Sequence, residues 1–326
     1  MNKNLKILVT GANGYIGNCL FYSLKKKFKV IGVDKETKLN NKIYKCDLLN
    51  AKKFNQILDK EKPEVIVHLA AQSLVDETIN KKKYYKNNVI ATGCLLKSMK
   101  KNKITKLIFS STAAVYQQSS KPLLEESKLR PLSTYAKNKL TCEQIIKKNK
   151  SIKSVILRFF NVCSAADKPC IGEFHNPETH LIPTAVFKAL FNKKIYIYGN
   201  DFPTPDGTCI RDYVHIKDII LAIEKSIKYL INRKKSEIFN IGNHKGISNK
   251  QIINSVQNII NKKIKLKYAN KRKGDISQLI CNSNKAKKLL SWRAKNSKIR
   301  KIIINEIKWI YKLKSLGLKR RFKNYI

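Results

Sequence analysis

Tyr135 and Lys139 form a pair whose types and spacing could move a proton. They stand four residues apart near the start of a predicted helix, which places them one turn apart on the same face. A cation beside a phenol favours the phenolate and lowers a pKa that begins at about 10. A phenolate near neutral pH can act as a general base. The same spacing also arises by chance in a chain with 68 lysines and arginines, so the context decides.

Hydroxyl groups follow a predicted strand, where they could assist that base. Ser110, Ser111 and Thr112 come directly after the apolar residues 107–109. Ligands bind at the carboxyl ends of the strands in parallel sheets. We therefore expect these hydroxyls to face a ligand.

Three glycines near the start of the chain predict a phosphate-binding turn. Gly11, Gly14 and Gly17 follow the apolar run 7–9 and precede apolar residues at helical spacing. A strand-to-helix turn directs backbone N–H groups and the positive end of a helix dipole at one point, which suits a pyrophosphate. The spacing is G-x-x-G-x-x-G rather than G-x-G-x-x-G, and any tight turn of this kind could use it.

An acidic residue points to the cofactor that this turn would bind. A second apolar strand, residues 30–33, ends on Asp34. An acid at this position hydrogen-bonds the adenosine ribose of NAD, and its charge repels the 2′-phosphate of NADP. The pattern therefore predicts NAD, the alternative being that Asp34 is an ordinary loop acid.

Strands and helices alternate through the first half of the chain, which predicts an α/β fold with a doubly wound parallel (Rossmann) sheet over residues 1–165. Prolines and glycines then mark a change of pattern, and we expect a smaller C-terminal α/β substrate lobe over 166–326. The segment at about 212–242 could return to the first domain. Later strands are predicted at 43–46, 65–68, 107–109 and 155–157, and helices at 51–60, 84–102 and 134–149.

The net charge of +46 is open to two explanations, a nucleic-acid binder or a compositional bias. Lysine greatly outnumbers arginine, and asparagine and isoleucine are abundant along the whole chain, which fits a bias toward A/T-rich codons. Only the tail around Arg320 and Arg321 is locally dense in basic residues. A nucleic-acid site would concentrate basic and aromatic residues on one element, so we expect no nucleic-acid partner.

The sequence also bears on the compartment. No apolar run approaches membrane-spanning length, and the first residues do not resemble a signal peptide, so we expect a cytoplasmic protein with no membrane contact. The eight cysteines are scattered without a C-x-x-C pair. That distribution favours free thiols in a reducing compartment over disulfides or a zinc site.

These motifs together resemble the extended short-chain dehydrogenase/reductases. The block Gly199–His215 is similar to a signature of UDP-glucose 4-epimerases and their pentose-epimerising relatives, and residues 158–161, 177–183 and 272–275 fit the same pattern. The resemblance implies a UDP-sugar 4-epimerase with tightly bound NAD. It would interconvert UDP-glucose and UDP-galactose, or alternatively act on UDP-N-acetylglucosamine or a UDP-pentose, and members are usually homodimers.

The resemblance implies a role for each matched residue. Tyr135 would remove the proton from the sugar 4-hydroxyl, Thr112 would hydrogen-bond that hydroxyl, and Lys139 would bind the nicotinamide ribose. The implied NAD site consists of Gly11, Gly14, Tyr15, Ile16, Gly17, Asp34, Asp47, Leu48, Leu69, Ala70, Ala71, Asn88, Ser110, Tyr135, Lys139 and Phe160. The implied UDP-sugar site consists of Thr112, Asn161, His180, Tyr198, Arg211, Arg272 and Asp275. The arginines would bind the phosphates, because guanidinium groups contact two phosphate oxygens at once.

Some positions depart from the family pattern or carry a second interpretation. Ser73 stands where well-known members have a lysine on the NAD phosphates, and Leu279 stands where the side chain bears on whether an N-acetyl group fits. His175, Glu178 and His180 could suggest a metal site, but they lack the H-E-x-x-H spacing. A loop around the phosphosugar is the preferred explanation, and no metal is expected.

Two other functions are less consistent with these residues. Nucleotide-sugar dehydratases and decarboxylases resemble this chain but follow the threonine with acidic residues, where Ala113 and Ala114 stand here. A non-catalytic NAD-binding regulator would have no need of Thr112, Tyr135 and Lys139 together.

We predict that nucleic acids bind weakly, without sequence preference, and with an affinity that falls steeply as salt rises. Spread-out lysines attract polyanions through counterion release alone, and no basic element is paired with base-stacking aromatics. Binding titrations against several DNA and RNA sequences at about 0.15 M salt test this, since the Debye length is then about 8 Å. Tight, sequence-selective binding at that salt concentration would contradict the prediction.

Overall fold

The apolar runs of the first half form the centre of the fold. A computed structural model describes residues 4–36, 43–72, 80–175, 178–233, 235–272 and 274–316, and Ser73 and the basic tail around Arg320 lie outside these ranges. The strands are β1 (Lys6–Thr10), β2 (Lys29–Asp34), β3 (Ile43–Lys45), β4 (Val65–His68), β5 (Lys106–Thr112), β6 (Lys153–Phe159), β7 (Asn161–Cys163), β8 (Ala166–Asp167), β9 (Cys170–Ile171), β10 (Ile195–Tyr198), β11 (Ile210–His215), β12 (Glu237–Ile241), β13 (Gly246–Ser248), β14 (Leu266–Ala269) and β15 (Gln278–Leu279). The helices are α1 (Tyr15–Leu24), α2 (Ala51–Glu61), α3 (Lys81–Tyr85), α4 (Ala91–Lys101), α5 (Thr134–Lys148), α6 (Leu181–Leu190), α7 (Ile216–Arg233), α8 (Asn249–Ile260), α9 (Asn284–Leu290) and α10 (Ile299–Ser315).

Seven strands form one parallel sheet with the order β12-β6-β5-β4-β1-β2-β3. The direction of winding reverses between β1 and β4, because β2 and β3 extend the sheet on one side and β5 and β6 on the other. Such a reversal opens a crevice at the carboxyl ends of the strands, where ligands bind. The predicted doubly wound parallel sheet is confirmed.

Helices cover both faces of this sheet. Side chains alternate along a strand, so Ile7 and Val9 of β1 join one apolar cluster with α1, α7 and α9, whereas Leu8 joins another with α2, α4 and α5. Strands buried on both faces have continuous apolar sequences, which explains why they were visible in the sequence. None of the helices in the described ranges is both long and apolar enough to cross a membrane.

The second half of the chain adds one strand to this sheet and builds several smaller ones. β12 lies beside β6, and its Phe239 pairs with Leu157. β10 pairs with β14, and β11 pairs with β7, β13 and β15. Helices α6, α8 and α10 enclose a third apolar cluster against these strands. The domain limits at residues 165 and 166 stay a prediction.

The helix predicted over 84–102 is interrupted. α3 ends at Tyr85, a π-helical turn covers Lys86–Ile90, and α4 continues from there. Single π-helical turns inside helices are frequent at functional sites. The periodicity of the sequence predicted a helix but could not show this change in winding.

A buried ion pair holds α5 against the sheet. The Glu143 carboxylate in α5 accepts hydrogen bonds from Arg158 in β6, 3.0 Å from Nε and 2.7 Å from Nη2, and another from the Ser111 hydroxyl in β5. The side chains of Glu143 and Arg158 are each 1 % exposed. Tyr135 and Lys139 precede Glu143 on the same helix, so the pair also fixes their position relative to the sheet.

We predict that Glu143→Gln lowers the free energy of unfolding by about 3 kcal/mol, because it leaves the buried Arg158 charge without its counterion. Urea denaturation monitored by circular dichroism measures this change. Asp201→Asn is the matched control, since its pair with Lys271 has side chains 70 % and 40 % exposed, and we expect no measurable change there. Equal effects of the two substitutions would show that the buried pair does not hold α5.

Candidate active site

The glycine turn leaves backbone N–H groups free for an anion. Gly11 has φ +70°, and a Cβ there would lie 2.7 Å from the backbone nitrogen of Ala70. A Cβ on Gly17 would lie 1.9 Å from the carbonyl oxygen of Gly11, so only glycine allows α1 to pack this closely. Gly14 caps α1 without a side-chain hydrogen bond, and the first N–H groups of the helix are therefore available to a phosphate.

Asp34 is fixed beside this turn. Its carboxylate accepts hydrogen bonds from the backbone N–H groups of Asn13 and Glu36, each at 3.0 Å. Asp47 follows the adjacent strand, where its carboxylate accepts the Leu49 N–H at 2.9 Å. The carboxylate of Asp34 thus lies at the carboxyl end of β2, the position expected of an acid that contacts a ribose.

Asn88 lies in the π-helical turn, and its side chain binds the protein rather than open space. Its Oδ1 accepts the Gln72 N–H at 2.7 Å, and its Nδ2 donates to the Gln72 carbonyl at 3.2 Å. The segment Leu69–Ala71 immediately precedes this contact. Asn88 therefore holds the backbone of Gln72 in the loop after β4, and its place in the lining of the NAD site stays a prediction.

The proton-transfer pair lies at the carboxyl end of β5. Ser133 caps α5 by accepting the Ala136 N–H at 3.1 Å, so Tyr135 stands in the first turn and Lys139 one turn later. The Lys139 ammonium donates to the Ser110 carbonyl at 2.6 Å and lies 5.9 Å from the centre of the Tyr135 ring. The structure thus brings together the Tyr, Lys and hydroxyl segments that were predicted separately.

The protein alone does not make Tyr135 acidic. Burial raises the pKa of the Tyr135 phenol well above its ordinary value, and burial also lowers the pKa of Lys139 to about 8. The expectation that Lys139 helps to depress the pKa of the phenol, together with the charge of the nicotinamide, stays a prediction. Desolvation disfavours both charged forms, and a single ammonium at this distance does not outweigh it.

Sequence reasoning missed His68, which ends β4 beneath this site. Its Nδ1 lies 2.7 Å from Thr10 Oγ1, and its Nε2 lies 3.1 Å from Thr92 Oγ1. Burial, with a smaller contribution from the charge of Lys139, lowers the pKa of His68 to about 3. A neutral imidazole therefore connects β1, β4 and α4. The only sequence feature that could have identified His68 as part of the site is its position at the end of a predicted strand.

On the sugar side, two predicted residues meet directly. The guanidinium of Arg272 stacks on the ring of Tyr198, 3.7 Å from its centre, and the Asp275 N–H donates to the Arg272 carbonyl. Arg211 lies on β11 and donates to the Ile210 carbonyl. In the described ranges no carboxylate lies within ion-pair distance of either arginine, so their positive charges remain available to an anionic ligand.

Phe160, Asn161 and Leu279 lie along the junction of the main sheet and β11. Phe160 is buried and donates its N–H to the Ile241 carbonyl. Asn161 begins β7 and pairs with Tyr213 of β11. Leu279 pairs with Arg211 and is buried in an apolar cluster that includes Phe160.

His180 precedes α6, and its ring contacts two carboxylates. Its Nδ1 lies 2.9 Å from Glu173 Oε1 and 3.7 Å from Glu178 Oε1. Although burial favours the neutral ring, these two carboxylates raise the pKa of His180 to about 9. The structure thus adds Glu173, which was not predicted, to the neighbourhood of His175, Glu178 and His180.

The comparisons with known proteins agree with this geometry. Residues 7–242 match the NAD dependent epimerase/dehydratase family. The chain belongs to this family. A UDP-glucose 4-epimerase from Streptococcus mutans is 37 % identical over 322 residues, which are 94 % of this chain and 96 % of the relative.

Solved structures resemble the whole fold. One crystal structure of a UDP-glucose 4-epimerase superposes with a TM-score of 0.88 at 36 % identity and covers 94 % of this chain and 98 % of its own. The UDP-glucose 4-epimerase of Bifidobacterium longum, solved in complex with NAD⁺ and UDP, has a TM-score of 0.87 at 28 % identity and covers 94 % of this chain and 98 % of its own.

The predicted NAD cofactor is confirmed at the level of the family. This chain also fits the group physically. At Gly11 and Gly17 a Cβ would collide with the backbone, so the chain forms a tight turn at the start of α1, which has no side-chain cap. The Asp34 carboxylate is held beside this turn.

We predict that the cofactor bound to the purified protein is NAD and not NADP, because the Asp34 carboxylate would repel a 2′-phosphate. Denaturing the protein and identifying the released dinucleotide by mass spectrometry tests this. Recovery of mainly NADP would show that Asp34 does not face the ribose.

Proposed function

We propose that this protein is a UDP-sugar 4-epimerase that interconverts UDP-glucose and UDP-galactose. The observation that carries the proposal is the placement of Tyr135 and Lys139 by α5 at the carboxyl end of β5, the strand that carries Ser110 and Thr112, near the crevice where the strand order reverses. The full-length similarity to UDP-glucose 4-epimerases supports it.

In this proposal the chain moves a proton while the cofactor moves a hydride. Tyr135 accepts the proton of the sugar 4-hydroxyl, and Thr112, at the end of β5 with its side chain partly exposed, hydrogen-bonds that hydroxyl. Bound NAD supplies the hydride acceptor and donor at the sugar C4 together with a positive charge near the phenol. Between removal and return of the hydride, the 4-keto sugar rotates about its link to the diphosphate. The hydride therefore returns to the opposite face of C4.

Lys139 contributes electrostatically in this proposal. It carries its charge at pH 7, since its pKa is about 8. Its ammonium would bind the nicotinamide ribose and add to the cofactor's charge in overcoming the burial that opposes a phenolate at Tyr135.

The sugar nucleotide would be held by groups that bind its diphosphate and its hydroxyls. Arg211 and Arg272 provide positive charge without a carboxylate partner in the described ranges, which suits two phosphates. Asn161, His180, Tyr198 and Asp275 complete the proposed site. We assign the remaining predicted residues of the glycine turn, of β2 and of the loops after β3 and β4 to the NAD site.

Two features bear on which reaction occurs. Ala113 follows Thr112 and is buried, so the position where dehydratases carry an acid offers no proton donor. Leu279 is buried in the same apolar cluster as Phe160, and the substrate experiment decides whether an N-acetyl group is accepted beside it. We also propose a homodimer that works in the cytoplasm, a statement supported by the family resemblance.

The substrate is tested by incubating the purified protein with UDP-galactose, UDP-N-acetylgalactosamine and UDP-xylose and resolving the products by chromatography. We expect UDP-galactose to be converted to UDP-glucose fastest. Faster conversion of UDP-N-acetylgalactosamine would assign the site to the larger sugar, and release of a dehydrated sugar would contradict an epimerase.

We predict that Tyr135→Phe lowers kcat about 10²–10⁴-fold, the range expected for loss of a general base, while circular dichroism and NAD content stay unchanged. Phenylalanine keeps the ring and removes only the proton acceptor. Tyr196→Phe makes the same chemical change at a residue that is 43 % exposed and serves as the control. Turnover by the Tyr135 variant at the level of the Tyr196 variant would contradict the assignment.

A further inference from the structure

Two histidines and two glutamates converge in the segment before α6. The ring nitrogen Nδ1 of His175 lies 3.4 Å from Glu173 Oε1 and 3.6 Å from Glu178 Oε2. The Nδ1 of His180 lies 2.9 Å and 3.7 Å from oxygens of the same two carboxylates. One donor atom from each of the four residues falls within 4.8 Å of all the others.

Backbone hydrogen bonds preorganise this group. The two oxygens of Glu178 accept the N–H groups of His175, at 3.2 Å, and His180, at 2.8 Å. The indole of Trp309 in α10 donates to the Glu173 carbonyl at 2.7 Å. The Glu178 carboxylate is therefore held in place through both of its oxygens, each of which keeps a further lone pair for a ligand.

Several buried polar atoms here have no hydrogen-bond partner among the described residues. They are Nδ1 of His175, Oε2 of Glu173 and both carboxylate oxygens of Glu306. Glu306 lies on α10, is 1 % exposed, and experiences the negative charges of Glu173 and Glu178. Unpartnered buried polar groups are rare in folded proteins and often indicate an ion or water that completes the site.

The distances distinguish two explanations of the cluster. In a simple set of hydrogen-bonded ion pairs the donor and acceptor atoms lie about 2.7–3.2 Å apart, and three of the four distances exceed this range. Four ligands at about 2.0–2.1 Å around a tetrahedral zinc ion lie about 3.3 Å from one another. Three of the observed distances are close to this ligand spacing, although Glu178 presents a different oxygen to each histidine. The 2.9 Å contact between His180 and Glu173 is that of a direct hydrogen bond. The longer distances and the unpartnered atoms together favour a shared cation.

We propose that Glu173, His175, Glu178 and His180 form a binding site for a divalent transition metal, with zinc as the best match to two imidazole nitrogens and two carboxylate oxygens. Four protein ligands leave no open position, so the ion is structural. It holds Glu173 and His175 to Glu178 and His180, and its charge offsets the negative charges that Glu173 and Glu178 exert on the buried Glu306 of α10. His180 binds through Nδ1 and keeps Nε2, on a side chain that is 54 % exposed, for the crevice.

The test uses the full chain with its bound NAD. The protein is treated with a chelator, dialysed against zinc, and its metal content is measured by mass spectrometry, with affinity determined by competition against a zinc indicator. We expect about one zinc ion per chain, and visible absorption typical of tetrahedral coordination when cobalt(II) replaces zinc.

Variants locate the ion. We expect His175→Ala and Glu178→Gln each to weaken zinc binding more than about 10-fold, because each removes a direct ligand. Even the loss of a group that only contacts a ligand lowers metal affinity by about 10-fold. The control is His244→Asn, which removes an exposed histidine on another loop and should leave the affinity unchanged.

Three results would overturn the proposal. They are the absence of retained zinc in the unmodified protein, octahedral cobalt spectra, and zinc affinities that are equal in the His175, Glu178 and His244 variants. None of these readouts depends on epimerase activity, so the metal proposal and the proposed function can fail separately.

Discussion

The ion pair between Glu143 and Arg158 determines where the chemistry of this protein can occur. It connects α5 to β6 in the interior, and α5 carries both Tyr135 and Lys139. A buried pair of this kind adds little net stability but makes a shifted helix costly, because either charge alone would be unsolvated. The helix is therefore confined to one position on the sheet, with the Lys139 ammonium on the Ser110 carbonyl of β5 and 5.9 Å from the centre of the Tyr135 ring.

The same burial that fixes the site opposes its chemistry. Desolvation raises the pKa of Tyr135 and lowers that of Lys139, so the chain by itself favours a neutral phenol. In the proposed reaction, positive charge from bound NAD and from Lys139 would favour the phenolate against this burial. In a low-dielectric site such a charge acts strongly, and an enzyme without net redox chemistry can keep its cofactor in place.

Much of this was predictable from local sequence, and the rest depends on contacts between distant residues. The glycine turn, Asp34 and the Tyr135–Lys139 pair combine residue types and spacings whose geometry is set within one or two turns. Glu143 and Arg158 carry no such signal, because their partnership exists only once β6 lies beside α5. The grouping of Glu173 with His180 likewise has no local signal, because Glu173 is held by a hydrogen bond from Trp309 of the distant helix α10.

The central claim is that a hydrogen leaves the sugar C4 and returns to the same carbon on the opposite face. Incubating the protein with UDP-galactose deuterated at C4, in ordinary water, and analysing the UDP-glucose product by mass spectrometry and NMR tests this directly. The account predicts that the deuterium stays at C4 of the product. Loss of the label to solvent, or its appearance at another carbon, would contradict hydride return by tightly bound NAD.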